Sequence, residues 1–270
     1  MDVVPAAVSS VIVPAAPARP PAAAPRCTAV RPAPEDLHPA LWLGHQLGRP
    51  RGDGVPSGFA ALDAQLPDGG WPRRTLTELL LPHPGVGEVR LLAPSLAAAQ
   101  RGGRLVMLFD PPAPLSAWAL AQLGVDVEQL LVVQTRQRVV PGSDSLWAFE
   151  QALKSGHVGA LVAWLPPRLR AERLRRLQLA AQAHDGAAFV LRETAAAQRP
   201  SAAPLRLALR AAGPDALALR VLKRRGPPLE TPITLALPPV LSDAARQRRR
   251  AGRVPAPAAA LPVATFIDLG

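Results

Sequence analysis

The stretch that decides the fold is residues 75–110, TLTELLLPHPGVGEVRLLAPSLAAAQRGGRLVMLFD. Two short apolar runs, at 76–81 and 105–109, have the length of buried strands. The second is unbroken, as in a parallel strand that is covered on both faces. A glycine-containing loop and a helical segment separate the two runs. The pattern therefore predicts a strand, a loop, a helix and a second strand.

The loop between these strands, Pro82 to Val89, has the position of a phosphate-binding loop but lacks its chemistry. Such a loop has the pattern G-x-x-x-x-G-K-[ST], in which backbone N–H groups and the lysine hold phosphates and the hydroxyl holds Mg²⁺. Gly85 and Gly87 are present, but Glu88 replaces the lysine and Val89 replaces the hydroxyl. A carboxylate repels a triphosphate and valine cannot ligate a metal, so we expect no cofactor. An ordinary glycine turn between a strand and a helix is the alternative interpretation.

Composition and charge narrow the classes of function. The formal net charge is +11, from 31 Lys and Arg against 20 Asp and Glu, which favours polyanionic or acidic partners. A general arginine bias of the source proteome is the alternative explanation. The single cysteine, Cys27, excludes an internal disulfide and a cysteine metal cluster, and it fits a reducing compartment. No run of about 18 apolar residues is present, so we expect a cytoplasmic protein without a membrane span.

The chain divides into one α/β domain and flanking segments of biased composition. Residues 1–34 are rich in proline and alanine and are expected to form a disordered tail, and residues 35–50 are expected to form a short helical arm. Residues 51–239 alternate strands and helices, which predicts a mostly parallel sheet that ends in an antiparallel hairpin. Residues 240–270 are basic and then rich in alanine and proline, so a second disordered tail is expected.

Several short motifs, taken in order, resemble the core of RecA recombinases over roughly residues 50–238. They are Ser57-Gly-Phe-Ala-Ala-Leu-Asp63, Gly-Gly-Trp-Pro72, the glycine loop, Ala98-Ala-Gln-Arg-Gly-Gly103, Phe109-Asp110, Leu123-Gly-Val-Asp126 and the Lys-Arg-Arg-Gly-Pro that closes the hairpin. More specifically, the chain resembles the RecA-like, SulA-related ImuA family of bacterial mutagenesis cassettes. That similarity is carried by His38-Pro-Ala-Leu-Trp, by Leu-Leu-Leu-Pro-x-Pro-Gly-x-Gly-Glu and by Lys-Arg-Arg-Gly-Pro. The resemblance implies a RecA-like fold.

The resemblance also implies a role in the SOS response to DNA damage. The protein would be an accessory factor of translesion DNA synthesis, a cytoplasmic, nucleoid-associated adaptor or scaffold for the error-prone polymerase complex. The implied partners are an ImuB-type Y-family-like protein and the error-prone polymerase, and RecA filaments are a further candidate. The alternative is a SulA-like cell-division inhibitor that binds the tubulin-like division protein. SulA-type chains are shorter, and the basic tails would have no evident use in that role.

Further groups that a RecA-type ATPase uses are missing from the matching positions. The family's water-activating carboxylate follows the second core strand, where this chain has Pro111-Pro112, and the metal-binding aspartate ends a strand that here ends in Trp164. With Glu88 and Val89, four groups that stabilise phosphoryl transfer are lost. We therefore expect a pseudo-ATPase that is not an enzyme, with no catalytic residue and no metal site. The five histidines fall in separate elements, and we expect them at the surface or in loops.

Arginine-rich segments are the candidate contacts with DNA or partner proteins. In RecA-like folds two loops face DNA, and they match residues 165–173 and 192–206 of this chain. The candidate residues in and after these loops are Arg168, Arg170, Arg173, Arg192, Arg199, Arg206, Lys223, Arg224 and Arg225. Arginine pairs well with phosphate, which predicts salt-sensitive binding. Neither loop contains an aromatic residue on which bases could stack, so the expected DNA binding is weak. A solvated charged face is the alternative interpretation.

Overall fold

The structure is a computed structural model that describes residues 54–134, 143–166 and 168–241, together with positions 244, 247 and 248. The tail expected at residues 1–34 and the arm expected at 35–50 lie outside the described residues. Nearly all of the tail expected at 240–270 also lies outside them.

Strands and helices alternate up to residue 193, and consecutive strands follow. The helices are α1 (Ala60–Asp63), α2 (Glu88–Arg101), α3 (Ala117–Gln122), α4 (Ser143–Lys154) and α5 (Ala171–Ala181), with a 3₁₀ helix at Thr194–Gln198. The strands are β1 (Leu76–Leu81), β2 (Leu105–Phe109), β3 (Leu130–Val133), β4 (Val158–Trp164), β5 (Ala187–Glu193), β6 (Leu205–Gly213), β7 (Ala216–Lys223) and β8 (Ile233–Ala236).

Within the described residues the eight strands form one sheet in the order β3-β2-β4-β5-β1-β6-β7-β8. All neighbours from β3 to β6 are parallel, whereas β6 with β7 and β7 with β8 are antiparallel. Helical segments connect the parallel strands, as crossover connections between parallel neighbours require. The predicted α/β class, a mostly parallel sheet with a C-terminal antiparallel hairpin, is confirmed.

Two apolar layers cover the central strands, one on each face of the sheet. One layer contains residues of α1, α2 and α3, and it includes Trp71, which packs edge-on against Phe189 with ring centroids 5.1 Å apart. The other layer contains residues of α4 and α5, and it includes the edge-on pair of Phe109 and Phe149 at 5.2 Å. Burial on both faces explains why β1 is buried at all six positions and reads as a nearly continuous apolar run.

Three elements differ from the sequence-based expectation, one in its coverage and two in where they begin or end. Strand β2 is one position from the sheet edge, and Leu105 is 38% exposed, so this strand is not fully covered. Helix α5 begins at Ala171, inside the segment 165–173 that was matched to a DNA-facing loop, because Arg170 has the extended backbone of an N-cap. Strand β5 continues to Glu193, into the segment 192–206 that was matched to a DNA-facing loop, since its pairing with β1 extends to that residue. The last difference matters most, because it moves an arginine from a loop into the sheet.

Candidate functional site

The glycine loop joins the end of β1 to the first turn of α2. Gly85 and Gly87 have φ angles of +85° and +120°, in the region that side chains rarely adopt. A Cβ atom on Gly87 would also lie 2.7 Å from Cδ1 of Leu237. The loop therefore keeps the tight backbone turn on which a phosphate-binding loop depends, and it packs against the segment that follows β8.

The side chain of Glu88 accepts hydrogen bonds from two backbone N–H groups of this loop. The N–H of Gly85 donates to Oε1 at 2.8 Å, and the N–H of Gly87 donates to Oε2 at 3.1 Å. Glu88 is the first residue of α2 and is 3% exposed, so its carboxylate lies at the positive end of the helix dipole. Amide groups that hold phosphates in a functional loop are satisfied here by the protein's own carboxylate.

The first arginine of α2 does not replace the missing lysine. Arg90 donates from Nη2 to Oδ1 of Asp215 at 2.6 Å, from Nη1 to the carbonyl oxygen of Pro214 at 3.0 Å and from Nε to that of Pro238 at 2.9 Å. It thus connects α2 to the turn of the β6–β7 hairpin and to the segment after β8. This guanidinium group stabilises the fold around the loop.

Other residues occupy the positions where a RecA-type ATPase has its catalytic acid and its metal ligand. Strand β2 is followed by Asp110, whose backbone N–H donates to the carbonyl oxygen of Val133 at 2.8 Å and whose φ is +48°, and then by Pro111. Strand β4 ends at the partly buried Trp164, whose buried Nε1 has no hydrogen-bond partner. Among residues 54–134, 143–166 and 168–241, no three His, Cys, Asp or Glu side chains are grouped as metal ligands.

A cleft of about 610 Å³ lies beside the glycine loop. Its lining includes Pro82, His83 and Val86 of the loop, Thr194, Pro232 and the hairpin residues Ala208, Arg210, Ala218 and Arg220. In the hairpin Ala208 is opposite Arg220 and Arg210 is opposite Ala218, so all four lie on one face. Small side chains therefore form the floor, and two guanidinium groups flank it. Such a cleft can receive an acidic group. Neither Arg210 nor Arg220 is among the contact residues predicted from the sequence.

Two of the predicted contact residues belong to a buried charge cluster. Arg192 lies in β5 and Arg206 in β6, where they are 4% and 7% exposed. Nη1 of Arg192 is 2.8 Å from Oε1 of Glu78, and Nε of Arg206 is 2.6 Å from Oε2. The prediction that these two arginines lie in a DNA-facing loop is wrong, because both belong to strands. Their charges neutralise Glu78, which is fully buried in β1.

The candidates near α5 and after the 3₁₀ helix are at the surface. Arg168 and Arg170 precede α5, Arg173 lies in its first turn, and all three side chains are exposed. Arg199, which follows the 3₁₀ helix, is also exposed. The structure therefore brings one cluster of predicted contacts together at the start of α5, and this cluster remains available for binding.

The basic residues that close the hairpin mainly brace neighbouring backbone. Nζ of Lys223 donates to the carbonyl oxygen of Ser201 at 3.0 Å. The half-buried Arg224 donates from Nε to the carbonyl oxygen of Pro227 at 2.7 Å and from Nη1 to that of Gln65. Arg225 is exposed. Of these three candidates, Arg224 is the one with a clear structural role.

One histidine has an unexpected environment. His184 lies in a loop, between α5 and β5, as expected, but it is fully buried. Burial and the positive charge of Arg104 lower the pKa of His184 to about 4. Gly186 allows this packing, since a Cβ at this position would lie 2.0 Å from the carbonyl oxygen of Gly159 and 2.7 Å from Nε2 of His184.

Comparison with known proteins identifies relatives of the βα core. The family model described as "Cell division inhibitor SulA" matches residues 76–189, from β1 into β5. RecA of Thermus aquaticus is 36% identical over 110 residues, which cover 41% of this chain and 31% of that protein. RecA of Symbiobacterium thermophilum is 32% identical over 120 residues, which cover 44% and 33%. The chain is therefore RecA-like and SulA-related over part of its length.

The similarity has a limited extent. The chain spans about a third of the length of these curated RecA relatives, so whole-protein properties of RecA do not transfer with the match. The more specific resemblance to the ImuA family stays a prediction. None of the helices in the described parts of the chain has the length and apolar character that crossing a bilayer requires.

Proposed function

We propose that this protein is a non-hydrolysing, RecA-like accessory factor of damage-induced translesion DNA synthesis. It would act as an adaptor or scaffold that holds an error-prone polymerase and an ImuB-type Y-family-like protein at damaged DNA. The observation that carries the proposal is the hydrogen bonding of Glu88 to Gly85 and Gly87. A carboxylate that already occupies two backbone donors of the loop supports a frame that keeps the loop's shape without its nucleotide chemistry.

Electrostatics opposes the entry of a triphosphate into this loop. The attraction or repulsion of two unit charges about 4 Å apart is roughly 4 kcal/mol at an effective dielectric constant of about 20. A phosphate would therefore meet a repulsive carboxylate, and displacing that carboxylate would break two hydrogen bonds in a buried place. Arg90, which could have compensated, is bound to the hairpin instead.

The surface beside the loop supports a binding role. The cleft carries Arg210 and Arg220 around an alanine floor, which suits an acidic segment of a partner protein. The similarity to RecA supports a DNA-repair context for such an adaptor.

A SulA-like inhibitor of cell division is the second candidate function. The match of the SulA family model to residues 76–189 is the specific observation in its favour. Such an inhibitor would bind the tubulin-like division protein, and a loop without nucleotide chemistry would suit this role equally well. The two candidates predict different phenotypes in cells.

Damage-induced mutation frequency and cell length, measured in the same strains, separate the two functions. We expect deletion of the gene to abolish ultraviolet-induced mutagenesis, and the wild-type gene to restore it. We also expect overexpression to leave cell length normal. Filamentous growth on overexpression, with normal mutagenesis after deletion, would instead establish the division inhibitor.

A further inference from the structure

Helices α4 and α5 pack side by side on one face of the sheet and leave a shallow cleft of about 50 Å³ between them. The cleft is lined by Leu146, Trp147, Glu150, Arg173, Arg176 and Leu177. It contains none of the residues that line the cleft beside the glycine loop. One of the predicted arginines, Arg173, is therefore placed beside an aromatic residue from another helix.

Trp147 lies on the outer face of α4, as the spacing of the buried residues in this helix shows. Leu146, Phe149 and Leu153 share the inner face of this helix and are 7%, 0% and 0% exposed. Trp147 lies on the opposite side and is 60% exposed. Folding does not require an indole ring in this position, where much of its surface remains in water. The ring is available as a flat stacking surface.

The neighbouring helix supplies a dense positive charge. Residues 168–176 contain five arginines, and Glu172 is the only acidic residue among them. All five side chains are exposed, whereas Leu174 and Leu177 face the core. Arg168 and Arg170 precede α5, and the other three arginines lie on its solvent side; of these, Arg173 and Arg176 line the cleft together with Trp147.

The one carboxylate in the cleft is already neutralised. Nζ of Lys154 lies 2.6 Å from Oε1 of Glu150, and Nε of Arg176 lies 2.6 Å from Oε2. Burial by itself raises the pKa of Glu150, but the hydrogen bonds from Lys154 and Arg176 outweigh it and hold the pKa below its usual range. Glu150 is thus ionised, paired twice and 7% exposed, while the Arg176 side chain remains 58% exposed. This arrangement orients Arg176 without leaving a negative charge that would repel a phosphate.

We propose that Trp147, Arg173 and Arg176, here named the Trp147 site, bind single-stranded nucleic acid. A base stacks on the Trp147 ring, and the phosphates next to it contact Arg173 and Arg176. Aromatic stacking combined with a basic groove is the chemistry by which proteins hold single strands. The proposal rests on the proposed function for its DNA context, and it places the stacking residue on a helix rather than in either predicted loop.

One feature of the cleft favours a nucleic acid over a protein segment, and a second favours a single strand over a duplex. The core of a protein interface requires a contiguous apolar area. Here the apolar neighbours Leu146 and Leu177 are only 7% and 2% exposed, so one ring stands alone among charged groups. A duplex hides its bases in the stack, so it would use the arginines but not the ring.

The test is fluorescence anisotropy of a labelled oligothymidylate of about 20 nucleotides, titrated with the full chain at several salt concentrations. We expect Trp147→Ala to weaken binding by about 5- to 100-fold and Trp147→Phe to retain most of the affinity, because a ring still stacks. Trp118→Ala is the matched control, since Trp118 on α3 is equally exposed at 60%. Arg173→Ala should reduce the slope of log affinity against log salt by about 0.7.

The same variants with a duplex of equal length complete the test. Trp147→Ala should leave duplex binding unchanged. The proposal is overturned if Trp147→Ala binds the single strand like wild type, if Trp118→Ala weakens it equally, or if wild type shows no salt-sensitive binding. Such a failure would leave the proposed function standing, because an adaptor can hold its partners through protein contacts, and mutagenesis in cells tests that role separately.

Discussion

Two buried glutamates show two ways in which this chain neutralises negative charge. Glu78, inside β1, is paired with the side chains of Arg192 and Arg206 from neighbouring strands. Glu88, at the start of α2, is held by the backbone N–H groups of Gly85 and Gly87 in its own loop. The first charge is locked into the sheet, whereas the second uses donors that another anion could use. Glu78 therefore contributes to the stability of the fold, whereas Glu88 determines which ligands the loop can bind.

The largest effect is expected from removal of Glu78. Glu78→Ala leaves two buried guanidinium groups without a counter-charge, and we expect it to lower the free energy of unfolding by about 3–5 kcal/mol. Urea denaturation of the purified protein measures this loss. Glu128→Ala, at an exposed position, is the control and should change stability by no more than about 0.5 kcal/mol. An equally small change in the free energy of unfolding for both variants would show that Glu78 does not stabilise the fold by pairing with the two arginines.

His184, unlike the two glutamates, is a buried titratable group that burial keeps uncharged. Since the pKa of His184 is lowered to about 4 from its ordinary value of 6.5, the unfolded chain binds a proton between these pH values and the folded chain does not. Stability should therefore fall as the pH is lowered from about 6.5 to about 4, by a total of about 3 kcal/mol from this group.

Urea denaturation at pH 7 and near pH 4.5 checks the expected pH dependence. His184→Gln should remove this contribution, whereas His157→Gln, at an exposed position, should keep it. Carboxylates that titrate in the same range contribute equally to both variants, so the difference between the variants isolates His184. Identical pH profiles for the two variants would show that folding does not lower the pKa of His184.

Removal of Glu88 should have a smaller effect, confined to the loop. Glu88→Ala deprives the N–H groups of Gly85 and Gly87 of their acceptor and should cost about 1–3 kcal/mol. Glu88→Gln should cost less, because its amide oxygen can still accept one of these hydrogen bonds. Hydrogen exchange of the two amides is the direct measurement, and it should accelerate in the alanine variant. Unchanged exchange would mean that other groups satisfy these donors.

Local patterns in the sequence were sufficient to predict most of the elements of the fold. The apolar runs of β1 and β2, the glycines between them and the two-residue alternation of the hairpin depend on near neighbours, and they predicted these elements within a few residues. The chemistry lost from the loop at Glu88 and Val89 could also be seen from the spacing of the glycines. The position of the Glu88 carboxylate against Gly85 and Gly87 required the structure, because it depends on the left-handed backbone of the loop.

Contacts between distant strands could not be predicted from the sequence. Glu78 and Arg206 are 128 residues apart, and the parallel register of β1 and β6 places them directly opposite each other. The resemblance to RecA-like folds places both arginines in a DNA-facing loop, but arginine can lie inside a sheet when it is paired, as it is here with Glu78. Trp147 was missed for a different reason. The spacing of Leu146, Phe149 and Leu153 does indicate that it faces outward, but its neighbour Arg173 comes from another helix.

We propose that this RecA-like frame has lost nucleotide hydrolysis because the carboxylate of Glu88 occupies two backbone donors of the loop. The most direct test is ATP turnover by the purified full chain with Mg²⁺, in the presence and absence of single-stranded DNA. We expect no ATP turnover above the protein-free background under either condition. DNA-stimulated turnover that disappears in Glu88→Ala would contradict it, because Glu88 would then be part of a working ATPase site.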